Sequence, residues 1–285
     1  MPKINWYPGH MAKSRRLLQD QLRAVDAVIE LCDARAPMAT RNPDLGKLTQ
    51  GKARILILNK ADLADDAVTA RWLDTFRAQG LDAMRYNSNG GKTREVLARI
   101  EAATRPAVER AAARGVRKTV RLMVIGIPNV GKSTFINRLY GSAVTRASDR
   151  PGVTRSNQWV KIGPYLELLD TPGMLPPRMD DQDGAYLLAY LGSIRDQIMD
   201  TEELAGKLIL HLRAIKPQAV ADRFKIPADA DIPDIQTAIE LACRGRGWLM
   251  QGGRPDIDRA SALILDEFRA GRTGKISIEL PPERK

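Results

Sequence analysis

Short, mostly apolar runs in the amino-terminal part of the chain alternate with segments in which apolar residues recur at helical spacing. The runs predict buried parallel strands: Ala27–Cys32, Ile55–Leu58, Val120–Ile125 and Tyr165–Leu169. The periodic segments predict helices over 12–25, 65–79 and 93–103. Strands that alternate with helices predict an α/β fold in which helices cover both faces of a parallel sheet.

The carboxyl-terminal part carries helical patterns only. Its predicted helices cover 185–198, 202–214, 235–243 and 256–270, with proline, glycine and aspartate between them. A stretch rich in alanine and arginine at 104–118, which contains Pro106, predicts a helix and a linker within the first part. We therefore predict two domains, an α/β domain over 1–178 and a small all-α domain over 179–285.

Composition narrows the classes of protein that fit this pattern. Two cysteines and two histidines predict neither a disulfide framework nor a zinc site, and no apolar run reaches the roughly 18 residues of a membrane span. The first ten residues lack the features of a signal or transit peptide, so we expect a cytoplasmic protein. The 45 lysines and arginines outnumber the 34 acidic residues, and the net charge of +11 favours a polyanionic partner such as a nucleic acid.

The segment Gly126–Ser133 matches the phosphate-binding loop pattern G-x-x-x-x-G-K-S and lies between a predicted strand and a helix. Its glycines let backbone N–H groups close around phosphates. Lys132 is expected to reach the β- and γ-phosphates and Ser133 to bind Mg²⁺. The other expected nucleotide contacts of this segment are Asn129, Val130, Gly131 and Thr134. Such a loop binds any nucleoside triphosphate, so the base is specified elsewhere.

The segment Asn59–Asp62, with the sequence N-K-A-D, follows the second predicted strand and predicts guanine specificity. The Asp62 carboxylate can accept both the N1–H and the 2-amino group of guanine, whereas adenine lacks that amino group and has an acceptor at N1. Adenine would leave a buried charge unpaired, which makes the selection steep. Asn59 and the stem of Lys60 are expected to hold the base and its loops.

Three further segments fit the same chemistry. Asp170–Gly173, with the sequence D-T-P-G, follows the fourth predicted strand; Asp170 is expected to hold Mg²⁺ through water, and the Gly173 N–H to meet the γ-phosphate. The P-G-V-T segment before it offers the Thr154 hydroxyl to the same ion. The third segment is a loop that either covers the guanine or is an ordinary surface turn; it consists of Asn87, Ser88 and Asn89.

The order of these motifs differs from that of ordinary small GTPases, in which the phosphate-binding loop comes first. Here N-K-A-D precedes the other motifs, so the chain resembles the circularly permuted P-loop GTPases. The segments Trp6–Lys13, Asp33–Pro37 and Gly252–Arg259 further resemble the bacterial ribosome biogenesis GTPase A family. This resemblance implies a GTPase that uses Mg²⁺, binds ribosomal RNA and acts in late assembly of the large ribosomal subunit.

The residue after D-T-P-G is Met174, where many GTPases have a glutamine that orients the attacking water. A thioether cannot do this, so hydrolysis without help is expected to be slow. The family resemblance implies that His10, in a Pro-Gly-His turn ahead of the first helix, swings toward the γ-phosphate; the alternative is a histidine that caps the helix or contacts RNA. Asn129 resembles the asparagine of GTPases that place K⁺ beside the phosphates; the alternative is that it only forms a hydrogen bond within its own loop. Lys132, Thr154 and Gly173 complete the predicted catalytic set.

Three clusters of basic residues are the candidate RNA contacts. They are Lys13, Arg15, Arg16 and Arg23; Arg105, Arg110, Arg114, Arg117, Lys118 and Arg121; and Arg244, Arg246, Arg254, Arg269, Arg272 and Lys275. Trp248 and Phe268 can stack on bases but are expected to pack in the core. We expect a monomer whose partner is the large subunit and its RNA, with no DNA or membrane partner. Two alternatives stay open: a GTPase with another RNA or protein partner, and a binding module that hydrolyses little GTP.

Overall fold

A computed structural model describes residues 8–42, 45–144, 159–163, 165–169, 173–174, 182–194 and 199–282, with the backbone alone for 8–15, 142–144 and 173–174. The predicted elements of the amino-terminal part form one sheet with helices around it. None of the helices within these ranges is long and apolar enough to cross a membrane.

The sheet has the strand order β3-β2-β1-β4-β6-β5, and a short strand, β7, also pairs with β4. The strands are β1 Ala27–Asp33, β2 Ala53–Asn59, β3 Asp82–Arg85, β4 Val120–Gly126, β5 Trp159–Gly163, β6 Leu166–Leu169 and β7 Gly173–Met174. All pairings are parallel except that of β5 with β6. The predicted parallel sheet is therefore confirmed apart from this edge hairpin, whose strands are too close in sequence for a crossover.

Five helices belong to this part: α1 Pro8–Arg23, α2 Leu45–Leu48, α3 Asp66–Ala78, α4 Thr93–Ala112 and α5 Lys132–Val144. The predicted helix and linker within 104–118 are confirmed, and the helical part is the continuation of α4 through the exposed Pro106 to Ala112. Buried side chains, among them Val96 and Ile100, hold α4 on the sheet core, and this packing outweighs the helix-breaking tendency of the proline. Only 113–119 connects α4 to β4 without regular structure.

The carboxyl-terminal part is helical, as predicted, and consists of α6 Gln182–Tyr190, α7 Thr201–Ile215, α8 Pro217–Phe224, α9 Ile235–Arg246 and α10 Ile257–Arg269. The predicted helix over 185–198 is wrong over 191–194, since α6 stops at Tyr190 and the chain turns at Gly192 with a φ of 68°; its last four residues lie outside the described ranges. The helix α8 was not predicted. The boundary predicted near residue 178 falls outside the described ranges and stays a prediction.

The second part has its own apolar core, built mainly from leucines and isoleucines of α7, α9 and α10. Trp248 and Phe268 lie in it, which confirms that they pack rather than stack on bases. Aspartates mark where the helices begin, because each accepts hydrogen bonds from N–H groups of the first turn; these residues are Asp65, Asp200, Asp234 and Asp256.

Candidate nucleotide-binding site

The segment between β4 and α5 has the backbone shape of a phosphate-binding loop. Asn129 and Gly131 have positive φ angles of 62° and 94°. A Cβ atom on Gly131 would lie 2.5 Å from the Asn59 side-chain nitrogen, and one on Gly126 would lie 2.6 Å from the Leu31 carbonyl oxygen. Only glycine fits at either position, so the tight turn that aims N–H groups at a phosphate depends on both.

Lys132 begins α5, and its ammonium group is folded back on the loop. Its Nζ donates a hydrogen bond of 2.6 Å to the carbonyl oxygen of Ile127, and the residue is 6% exposed. Burial lowers the pKa of Lys132 to about 8, because the charged form is poorly solvated there. A buried cation with a single neutral partner among the described residues is suited to bind phosphate oxygens, which would stabilise the charged form that burial disfavours.

Asn59 at the end of β2 connects three loops. Its Nδ2 donates to the Val130 carbonyl at 2.8 Å, and its Oδ1 accepts from the Ser88 backbone N–H at 3.1 Å and from the Ser88 hydroxyl at 2.7 Å. Asn59 and Ser88 are both buried. One amide group therefore joins the N-K-A-D segment, the phosphate-binding loop and the 87–89 loop, three segments that the sequence analysis assigned to one nucleotide. Asn87 and Asn89 lie at the outer side of that loop, where the Asn87 carboxamide accepts from the Asn89 N–H.

Lys60 and the end of β1 are tied together by a buried carboxylate. Asp33 bonds both to the Arg35 guanidinium, at 2.9 and 3.0 Å, and to the Lys60 Nζ at 3.1 Å. Burial raises the pKa of Asp33, but the two cations and the hydrogen bonds from Arg35 outweigh burial and hold that pKa well below its usual value. The sequence analysis used Asp33 and Arg35 as a family signature and missed that they support Lys60; the adjacent ends of two predicted parallel strands were the available signal.

The Asp62 side chain is exposed two residues after Lys60. No hydrogen bond or ion pair to its carboxylate is found among the residues with described side chains. The loop is fixed by its backbone instead, since the Ala61 N–H bonds to the Tyr86 carbonyl and the Leu63 N–H to the Lys60 carbonyl. A carboxylate with no internal partner on a fixed loop is free to accept two hydrogen bonds from a base.

The structure describes some of the remaining predicted site residues. Ser133 and Thr134 are exposed in the first turn of α5, and Gly173 in β7 lies beside Ile125, next to the first glycine of the phosphate-binding loop. Thr154 and Asp170 lie outside the described residues. His10 was expected in a turn ahead of the first helix, which is wrong: α1 begins at Pro8, a residue favoured at a first helical position. The His10 side chain lies outside the described part, but the backbone of α1 comes close to β7 at one place.

The phosphate-binding loop also contacts the helical part of the chain. The Asn129 side-chain nitrogen donates to the Gly192 carbonyl just after α6. Arg35 reaches the end of α10, where its Nη1 donates to the Phe268 carbonyl at 3.1 Å. The loop and the carboxylate that supports Lys60 are thus both connected to the helices.

Comparisons with known proteins agree with this geometry. A family model described as "50S ribosome-binding GTPase" matches residues 121–232. The chain is 39% identical over 283 residues to ribosome biogenesis GTPase A of Bacillus cereus, covering 98% of this chain and 95% of the relative. It is 33% identical over 281 residues to the protein of the same name from Thermotoga maritima, again covering 98% and 95%. Among solved structures, GNP-bound YlqF from T. maritima superposes with a TM-score of 0.68 at 28% identity, covering 95% of this chain and all of that one. A GDP-bound YlqF structure gives the same score at 29% identity, covering 93% and 99%.

Proposed function

Since this chain belongs to the ribosome biogenesis GTPase A family and is therefore a GTPase, we propose that it couples GTP hydrolysis to a late step in maturation of the large (50S) ribosomal subunit in the cytoplasm. The observation that carries the nucleotide part is the Asn59 side chain, which joins the guanine-reading and phosphate-binding loops into one site. The partner rests on the family and on the positive charge of the chain.

Within this proposal the site residues have separate tasks. Asp62 reads the guanine base, and Lys132 binds the β- and γ-phosphates. Ser133, Thr154 and Asp170 would hold Mg²⁺, which would neutralise charge on the phosphates when it is bound; the exposed Ser133 hydroxyl at the start of α5 fits such a ligand. Gly173 would donate its N–H to the γ-phosphate, and its position beside Ile125 supports this.

Two residues are proposed to supply the catalytic help that Met174 cannot. Asn129 would offer its carboxamide oxygen to a K⁺ ion beside the phosphates, exchanging its contact with Gly192 for that role. His10 would position or deprotonate the attacking water once the ribosomal subunit holds α1 against the nucleotide. The contact of α1 with β7 supports this second role.

The test is GTP turnover measured with purified large subunits, with small subunits and without either, in K⁺ and in Na⁺ buffers. We expect large subunits, but not small subunits, to stimulate turnover by about tenfold or more, which corresponds to an activation barrier lower by about 1.4 kcal/mol. We also expect the stimulated rate to fall when Na⁺ replaces K⁺. Equal rates with both subunits would reject the large subunit as partner, and equal rates in both salts would reject the ion at Asn129.

A cavity at the far edge of the sheet supports RNA binding. It has a volume of about 630 Å³ and lies at the amino ends of β1 and β2, opposite the phosphate-binding loop; its charged lining residues are Asp26, Lys52, Arg110, Arg114 and Lys118. Asp26 is paired with Lys118 at 2.8 Å, and the Lys52 Nζ bonds to a backbone carbonyl. Within the described ranges no ion pair is formed by Arg110 or Arg114, so both guanidinium groups can bind phosphates of a polyanion.

Replacing both arginines in the double variant Arg110→Ala/Arg114→Ala is expected to weaken binding to large subunits by about tenfold near physiological salt. The slope of log affinity against log salt concentration should become less steep by about one to two. The reason is that binding releases about one counterion fewer for each phosphate contact that is lost. The measurement is subunit binding over a series of KCl concentrations. The control is Arg71→Ala/Arg77→Ala, which removes the same charge from exposed positions of α3 away from the cavity; Arg77 forms a surface ion pair with Asp74 at 3.3 Å, which contributes little to stability. Equal losses in both variants would show that only net charge matters.

A further inference from the structure

The last described segment of the chain crosses over the loop that follows the guanine reader. We call Lys275–Leu280 the carboxyl-terminal strap. Its Ile276 N–H donates to the Leu63 carbonyl at 3.0 Å, one residue beyond Asp62. The Ser277 hydroxyl accepts from the Asp65 N–H at 3.2 Å. The strap therefore bonds the backbone on the carboxyl side of Asp62 at two points.

The strap is itself anchored on the loop that follows β1. Its Ile278 N–H donates to the Arg35 carbonyl at 2.9 Å. The Glu279 carboxylate accepts from the backbone N–H groups of Met38, at 2.7 Å, and Ala39, at 3.1 Å. Ile276, Ser277 and Ile278 are buried, which shields the backbone bonds of Ile276 and Ile278 from water, whereas the Glu279 bond to the Met38 N–H is exposed. A segment with bonds at this many successive residues holds a defined position rather than resting loosely on the surface.

The opposite side of the strap faces α7. The His211 Nε2 lies 2.9 Å from the Ile278 carbonyl oxygen, and the Lys216 Nζ donates to the Lys275 carbonyl at 3.1 Å. The guanine loop and the helical part thus hold the same six residues between them. The close approach continues before the strap, where a Cβ on Gly271 would lie 2.5 Å from the Leu63 side chain.

We propose that the strap is a positioning element for base recognition, which fixes the loop that carries Asp62 and makes guanine selectivity depend on the helical part. This inference rests on the proposed role of Asp62. Two hydrogen bonds from a guanine base require the carboxylate to stand in one place, while the phosphates are held separately by Lys132 and its loop. A loosened strap should therefore reduce discrimination between bases more than it reduces binding of the diphosphate.

The probe is the pair GDP and inosine diphosphate, because the hypoxanthine base lacks the 2-amino group and so loses one of the two bonds to Asp62. The variant is Lys275→Ala/Ser277→Ala in the full chain, which removes the Ser277 bond to Asp65 and the ion pair of Lys275 with Asp66 at 2.8 Å. We expect the ratio of the two Kd values to move toward one by roughly three- to tenfold, with the Kd for inosine diphosphate nearly unchanged.

The matched control is Lys47→Ala/Ser261→Ala, which changes the same residue types away from the strap. Ser261 is buried in α10, and its hydroxyl has no hydrogen-bond partner in the described structure. An unchanged ratio in the strap variant, or an equal change in the control, would overturn the proposal. His211→Ala, which loosens the strap from the α7 side, should shift the ratio in the same direction; if it shifts only thermal stability, the dependence on the helical part is wrong. Asp62→Ala tests the role of Asp62 separately from that of the strap. An unchanged ratio of the two Kd values in that variant would show that Asp62 does not recognise the guanine base.

Discussion

Replacing Lys132 with alanine is expected to lower kcat/KM for GTP by about a hundred- to thousandfold, the loss typical of removing one preorganised charge from a reacting group. The ammonium is buried, its one hydrogen-bond partner among the described residues is the neutral Ile127 carbonyl, and no other residue of Gly126–Ser133 carries a positive charge to the phosphates. The measurement is single-turnover GTP hydrolysis together with the Kd for GTP. The matched control is Lys52→Ala, because Lys52 also donates to a backbone carbonyl, at 2.7 Å, but at the opposite edge of the sheet.

The lowered pKa gives Lys132 a second signature in the same experiment. Without nucleotide its pKa is about 8, and phosphate oxygens beside the ammonium raise it. Above pH 8 the free protein must therefore take up a proton to bind the nucleotide, and its affinity should fall by up to about tenfold per pH unit. Below pH 8 Lys132 is already protonated, so it should make no contribution to the pH dependence of the affinity. The nucleotide also titrates, and subtracting the pH profile of affinity measured with Lys132→Ala from that of the wild type removes this contribution. Parallel profiles of wild type and variant from pH 7 to 9 would contradict the role of Lys132.

The sequence predicted the central elements of the sheet because buried parallel strands are short runs of mostly apolar residues, and single charged residues such as Glu30 in β1 do not hide that pattern. Every residue of β1 is buried, and so is most of β2 and β4. The elements that were missed lack this signal. Strand β3 has four residues with charged ones at both ends, and the partly exposed edge strand β5 contains an outward lysine. Helix α8 has eight residues, too few for a clear period, and its start at Pro217 resembles a loop.

The candidate site could be predicted where a short motif contains both the backbone shape and the reacting group, as in Gly126–Ser133. It could not be predicted where the partners are far apart in sequence or are backbone atoms. Asn59 was expected to hold the loops, but its partners, the Val130 carbonyl and Ser88, were not identified, and neither were the two N–H groups near residue 38 that the Glu279 carboxylate binds. Backbone N–H groups have no residue type, so no pattern of side chains marks them as partners. The pairing of β1 with β2 brings Asp33 beside Asn59 and places its carboxylate 3.1 Å from the Lys60 Nζ; adjacent ends of the predicted strands indicated the neighbourhood, but the ion pair itself depends on the register.

The change Asp62→Asn is expected to convert the protein from a guanine to a xanthine binder. An asparagine carboxamide still accepts from the base N1–H, but its NH₂ group meets the 2-amino group of guanine donor to donor. In xanthine a carbonyl replaces that amino group and can accept from the same NH₂. We expect the Kd for GTP to rise by about a hundredfold or more and the Kd for xanthosine triphosphate to fall by a comparable factor. Competition binding with both nucleotides measures this exchange.

The control for this change lies three residues further along the same loop. Asp65 caps α3 by accepting from the Ala67 and Val68 N–H groups, at 2.9 and 3.1 Å, and asparagine caps helices about as well as aspartate. Asp65→Asn therefore alters the charge of the loop without altering its fold and should leave the preference for GTP intact. Because Asp62 has no hydrogen-bond or ion-pair partner in the described part of the chain, its replacement breaks no contact there. A loss of the preference for GTP would therefore come from the contact of residue 62 with the base. Equal GTP affinity in wild type and Asp62→Asn would mean that the exposed carboxylate is only solvated and that guanine is read elsewhere.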